Sequence, residues 1–209
     1  MLTGIAAFSA LAYGASLITN IKVGFLSFDA KDAVITIAAF IYGPLSAVIM
    51  SFITAFLEFI SIGSTGPYGA LMDFVSTFSF TFAASLIYKY KRNLAGAMIS
   101  LGTAASVYVA VMMVANLLIT PLYMGVSVSA VKALIPTMLL PFNVAKALMN
   151  SAIVMFLYKP TSRLLRRIGL AKPSSGKKGA QTKRDTLIIL GVAATVLVAS
   201  IVIFVILKK

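Results

Sequence analysis

The chain contains no histidine, cysteine or tryptophan, and only 5 of its 209 residues are acidic. Without imidazole or thiolate it offers no zinc ligand set of the usual kind, no haem ligation, no cysteine nucleophile and no disulfide. A Ser–His–Asp triad is excluded for the same reason, leaving only Ser–Lys chemistry formally open. Nor is there a Walker A loop. The pair Gly176-Lys177 has neither the leading glycine of that motif nor the Ser or Thr after the lysine. An ATP-driven role therefore requires a partner.

Apolar sequence fills the space these absences leave. Hydrophobic residues make up 60% of the chain, and the mean hydropathy is +1.02. Apolar runs cover residues 2–19, 33–62, 68–88, 94–122, 133–158 and 186–207. About 20 such residues carry one helix across the hydrocarbon core of a bilayer. The run at 33–62 is too long for one upright helix and short for two complete ones. Gly43-Pro44 divides it, because proline lacks the N–H a helix interior needs, which predicts helices over 32–42 and 45–62. The fold class is then an all-α integral membrane protein. It has a six-helix membrane domain over residues 1–168, a basic flexible linker over 169–185 and a C-terminal transmembrane helix over 186–209. That seventh span carries no interior charge, Asn or Gln, and reads as an anchor or a partner helix. No convincing internal repeat is visible, which counts against a carrier built from inverted repeats.

The formal charge is +13, but its distribution points to topology rather than to nucleic acid. Nine basic residues lie between Lys159 and Arg184, and Lys89, Lys91 and Arg92 form a second group. Both groups follow apolar runs, as cytoplasmic loops do under the positive-inside rule, and both suit an anionic lipid surface. Counting spans back places the N-terminus in the cytoplasm. The outer loops are then 20–31, 63–67 and 123–132. The N-terminus shows no basic leader, polar spacer or cleavage site, so a signal peptide is not expected.

Polar residues inside such spans are costly and are the first candidates for function. Asn143, Lys146 and Asn150 are spaced i, i+3, i+7 and share one helix face. An ammonium between two amides suits a planar heterocycle with carbonyl and ring-nitrogen edges. Pairing of Lys146 with Glu58 or Asp73 is the structural alternative. Asn116, two turns before a Pro-Leu-Tyr exit, is either a pocket residue or interhelical glue worth about 1 kcal/mol. Tyr123 reads as an interface-belt residue. Phe25, Phe28, Phe40, Phe74 and Phe78 are able to sandwich a ring, although most Phe residues in a bundle simply pack. Asp29 and Asp32 flank Lys31 at a helix entry, where capping competes with hydroxyl binding. Glu58 and Asp73 fall near the outer helix ends, as gate residues or as the two acids of a sparse proton relay. In the first helix, Ala6, Ala10 and Gly14 recur every fourth residue, a spacing that lets another helix approach closely or serves internal packing.

Several of these pieces resemble the substrate-binding S components of energy-coupling factor vitamin transporters, most of all the riboflavin-specific type. They are the stretch from Phe25 to Asp32, the Tyr42-Gly43-Pro44-Leu45 break, Asn116 through Gly125, and Leu140 through Lys146. The first-helix stripe resembles the motif by which S components dock on their transmembrane coupling subunit. The resemblance covers about residues 1–168 and rests on the order and spacing of short motifs. It implies six helices in a bacterial cell membrane with both ends cytoplasmic. It also implies a vitamin held near the outer face under the loop after helix 1, and a coupling subunit with two ATPases as partners. Asn116, Asn143 and Lys146 would contact the flavin or its ribityl chain, with Asp29 in the matching loop and Asn150 one turn beyond Lys146. Riboflavin would be cargo rather than a cofactor, and the chain would not be an enzyme. An S component for folate, thiamine or pantothenate, and a proton-coupled carrier using Glu58 or Asp73, remain as alternatives.

Overall fold

The structure, a computed structural model, describes residues 1–63, 66–167 and 183–208. Helix α1 (Leu2–Thr19) leads into a hairpin of β1 (Ile21–Val23) and β2 (Leu26–Phe28), followed by α2 (Lys31–Tyr42) and α3 (Pro44–Ser61). Then come α4 (Gly66–Tyr88), α5 (Leu94–Met124), the short α6 (Val128–Leu134), a π-helical turn (Ile135–Leu139), α7 (Leu140–Arg167) and α8 (Lys183–Lys208). Six stretches are long and apolar enough to cross a membrane among the described residues: α1, α3, α4, α5, Val128–Thr161 and Leu190–Leu207. The protein is therefore a multi-pass helical membrane bundle.

The break at Gly43-Pro44 occurs where proline chemistry requires it. Gly43 ends α2 at φ 96°, and Pro44 opens α3 at a position where its missing N–H costs nothing. At 12 residues, α2 spans only about 18 Å. It is not one of the membrane-length helices but an inner one, with Ala33, Ile35, Thr36 and Ala38 fully buried. Its small residues let α1 and α3 close on one side, around Ile5, Ala12, Ala47 and Met50. On the other side Ala33 and Ile37 meet the larger core of α4, α5 and α7.

Two of the three expected outer loops are more ordered than composition implied. The 20–31 segment is the hairpin, with Ile21 facing Phe28, Lys22 facing Ser27 and Val23 facing Leu26. Its two-residue turn begins at Gly24, whose φ of +59° suits glycine. In the 123–132 segment, α5 runs on to Met124 and stops at Gly125 in a left-handed cap, and α6 starts at Val128. In the 63–67 segment, residues 64–65 lie outside the described residues and α4 begins at Gly66. The π turn contains Pro136 and is followed by Pro141, two residues that cannot donate to the ladder.

The expected linker at 169–185 lies mostly outside the described residues, but its last three positions already belong to α8. Helix α8 is not a detached span. It packs on α7, and Phe204 sits between Phe28 of the hairpin, with ring centroids 5.1 Å apart, and Phe142 of α7, at 5.2 Å.

Candidate functional site

Helix α7 supplies the polar stripe. Asn143, Lys146 and Asn150 are all buried, at 1%, 4% and 1% exposure. The Asn143 amide is held at both ends. Its Nδ2 donates to the Leu139 carbonyl of the π turn at 2.7 Å, and its Oδ1 accepts from the Tyr108 hydroxyl of α5 at 2.9 Å. Ser76 of α4 in turn donates to Tyr108 at 3.4 Å. The three helices thus meet in a chain of hydrogen bonds that fixes the Asn143 orientation.

Lys146 reaches the hairpin. Its ammonium lies 3.3 Å from the Ser27 carbonyl and 3.4 Å from Asp29 Oδ2. Asn150, one turn on, points Nδ2 at the Asp29 carbonyl at 3.4 Å. Asp29 Oδ1 accepts the Lys31 backbone N–H at 3.1 Å, so this carboxylate both opens α2 and pairs with α7. Burial alone would raise its carboxyl, but Lys146 and Lys31 beside it hold it below the ordinary value of 3.8.

Lys31 is the centre of a second group. Fully buried, it places Nζ 2.7 Å from Glu58 Oε2 of α3, 2.5 Å from Asp73 Oδ1 of α4 and 3.9 Å from Asp29 Oδ2. The acids available to Lys146 therefore differ from the expected ones. Glu58 and Asp73 pair with Lys31, and Lys146 pairs with Asp29.

Between these groups lies a cavity of about 100 Å³. The hairpin covers it with Phe25, Leu26 and Ser27. Helix α4 contributes Asp73 and Ser76, α5 contributes Tyr108, Met112 and Tyr123, and α7 contributes Phe142, Asn143 and Lys146. A wider depression at Leu17, Asn20, Ile21, Lys22 and Ile62 lies at the lip of the hairpin and is more open to the exterior. Its polar side chains are Asn20 and Lys22, whereas Asp73, Ser76, Tyr108, Asn143 and Lys146 from three helices converge on the cavity beneath the hairpin, which is the candidate site.

Of the residues singled out from sequence, Phe25, Asp73, Tyr123, Asn143 and Lys146 line this cavity. Asn116 is fully buried, but its Nδ2 donates to the Met112 carbonyl at 2.7 Å and its Oδ1 accepts from Thr120 at 3.0 Å. That amide is committed within α5 and is absent from the lining. Asn150 and Asp29 stand behind Lys146. Tyr123, expected at the lipid interface, faces the cavity and meets Phe25 edge to face at 6.2 Å. Among the other phenylalanines, Phe28 packs on Phe204 and Phe40 stacks on Tyr88 at 4.0 Å. Phe74 stacks on Phe78. Sequence reasoning missed Tyr108 and Ser76. The only signal for Tyr108 was its i, i+4, i+8 register with Met112 and Asn116, which puts it on the same face of α5.

On α1, Ile5, Ser9, Ala12 and Ser16 face inward. Ala6 and Ala10 are exposed, and a side chain at Gly14 would meet nothing within 4 Å. Among the described residues, Ala6 and Ala10 thus face away from the interior, and Gly14 is half-buried.

The family model described as "ECF transporter, substrate-specific component" matches residues 1–158. The chain is 28% identical over 151 residues to the riboflavin transporter RibU of Staphylococcus aureus (strain TCH60), covering 69% of this chain and 79% of that protein. It is 27% identical over 143 residues to the riboflavin transporter FmnP of Bacillus subtilis (strain 168), covering 64% and 75%. A solved S component of a bacterial ECF transporter superposes with a TM-score of 0.68 at 26% identity, covering 79% of this chain and 97% of the other.

Proposed function

The chain belongs to the substrate-specific components of energy-coupling factor transporters, and we propose that it captures riboflavin in the cavity beneath the β1–β2 hairpin. The observation that carries this reading is the make-up of that cavity. Aromatic and thioether side chains (Phe25, Phe142, Tyr123, Met112) form one part of the wall, and Asn143, Lys146, Tyr108 and Ser76 form the other. A flat ring system with carbonyl edges and a hydroxylated tail matches this division. The two named relatives are riboflavin transporters.

Asn143 and Lys146 act as direct contacts. Tyr108 holds the Asn143 amide in position, and Asn150 and Asp29 orient Lys146 and the hairpin. Asn116 shapes the wall through α5. Ligand pockets usually enclose about 300–1,000 Å³, more than the cavity of about 100 Å³. Loading therefore requires the hairpin to lift. Its ties to Lys146 at Ser27 and Asp29 are the contacts that must loosen.

Release into the cell would need the coupling subunit and two ATPases, because the chain has no nucleotide-binding motif. The stripe of exposed Ala6 and Ala10 and half-buried Gly14 is the surface for docking on the coupling subunit. The basic groups near Lys89 and after Lys159 support an orientation with both ends of the six-helix domain in the cytoplasm.

The test is the visible spectrum of protein purified from cells grown with riboflavin. A flavin spectrum near one equivalent, released on denaturation, is expected. A colourless protein that also fails to quench added riboflavin fluorescence would move the assignment to another vitamin.

A further inference from the structure

Four of the chain's five carboxylates, Asp29, Asp32, Glu58 and Asp73, gather with Lys31 and Lys146 beside the cavity. With every group ionised, the cluster carries two more negative than positive charges. Of the four acids, only Asp73 lines the cavity. Its Oδ1 is anchored 2.5 Å from the Lys31 ammonium, and its Oδ2 has no hydrogen-bond partner among the described residues. Ser76, one turn along the same face of α4, lines the cavity beside it.

We propose that Asp73 sets ligand specificity by accepting a hydroxyl of the hydroxylated tail of the neutral vitamin while its charge repels the phosphate of the 5′-phosphate ester. This deepens the riboflavin reading and rests on it. An ionised carboxylate only accepts hydrogen bonds, and Lys31 already satisfies one oxygen, so the other calls for a donor on the ligand. A phosphate ester brings acceptor oxygens and a charge of about −1.5 to −2 at neutral pH. At the esterified position the hydroxyl that would donate is replaced by these acceptor oxygens, which the Asp73 carboxylate repels. Lys146 does not cancel this, because the four carboxylates of the cluster outnumber its two lysines.

Glu58 is a built-in comparator. It shares the Lys31 ammonium at 2.7 Å but does not line the cavity. The experiment titrates purified wild type, Asp73→Asn and Glu58→Gln with riboflavin and with riboflavin 5′-phosphate, read by flavin fluorescence quenching. Wild type should prefer riboflavin by at least about tenfold, a difference of about 1.4 kcal/mol. Asp73→Asn should shrink that ratio about tenfold, and Glu58→Gln should change both affinities together and leave the ratio intact. Equal wild-type affinities, an unchanged ratio in Asp73→Asn, or the same ratio shift in both variants would overturn the proposal. If Asp73→Asn does not accumulate, the wild-type ratio decides on its own. Wild type that binds neither flavin removes the riboflavin reading as well, whereas tight riboflavin binding without selectivity removes only the role of Asp73.

Discussion

Lys146 connects the cavity to the hairpin that covers it, and its neighbours determine how far each substitution reaches. Asn143→Ala removes an amide that Tyr108 and the Leu139 carbonyl hold in place. A lost hydrogen bond of this kind is worth about 1 kcal/mol, and one to a charged group about 1.5–3 kcal/mol. Asn143→Ala should therefore weaken flavin binding about fivefold or more, and Lys146→Ala about 10- to 100-fold. Expression should stay intact in both, and unchanged affinity in both would take the α7 stripe out of the site. Lys146→Ala also leaves Asp29 with Lys31 as its one remaining cation within 4 Å. The Asp29 carboxyl, held low by its lysines, contributes stability in full above its unfolded value near 3.8. That contribution fades as the pH falls through the lower folded value. Thermal unfolding in detergent should therefore show Asp29→Asn less stable than wild type near neutral pH, with the gap closing below about pH 4. A gap that persists in acid would mean that the pairing contributes little.

Among the elements, the hairpin and α8 show why short or detached-looking segments matter to the site. The hairpin turn depends on Gly24, where φ is +59° and an added Cβ would lie 2.7 Å from the Met138 methyl. Gly24→Val should displace the turn from the π segment and raise the rate of flavin release, measured by stopped-flow fluorescence; unchanged release would show that the tip does not guide closure. Phe204 of α8 buttresses the other face of the hairpin through Phe28. Truncation after Ala171 should leave riboflavin binding in place, because the cavity is built from the hairpin, α4, α5 and α7. It should also lower the unfolding temperature by several degrees, since Phe28 and Phe142 lose a packed aromatic neighbour worth about 0.5–1.5 kcal/mol per pair. Complete loss of binding would place α8 inside the functional fold.

At the scale of the whole molecule, the chain separates capture from drive. Its interior is organised around one covered cavity, and its first helix turns a row of small residues outward. Ala6→Leu or Ala10→Leu adds bulk where the chain itself packs nothing. Uptake by cells should fall severely while riboflavin affinity in detergent stays within about twofold. Normal uptake would remove the stripe from the docking surface.

The bilayer explains how much of this was readable from residues alone. Lipid demands long apolar helices with satisfied backbones, so the spans, the Gly43-Pro44 break and the α7 stripe of Asn143, Lys146 and Asn150 are local properties of the sequence. Pairing is not local. Lys31 meets Glu58 and Asp73 across 27 and 42 residues, and Lys146 meets Asp29 across 117. No spacing rule distinguishes these partners from the converse assignment, in which Lys146 takes Glu58 or Asp73. The same limit hid Tyr108 behind Asn116, because helix periodicity identifies a face but not which residue on it reaches a neighbour. Composition determined that this is a membrane bundle with a few expensive polar residues. Only the packing of α4, α5, α7 and the hairpin decided which of them share a cavity, since burial in lipid makes each charge seek whichever partner the fold brings near.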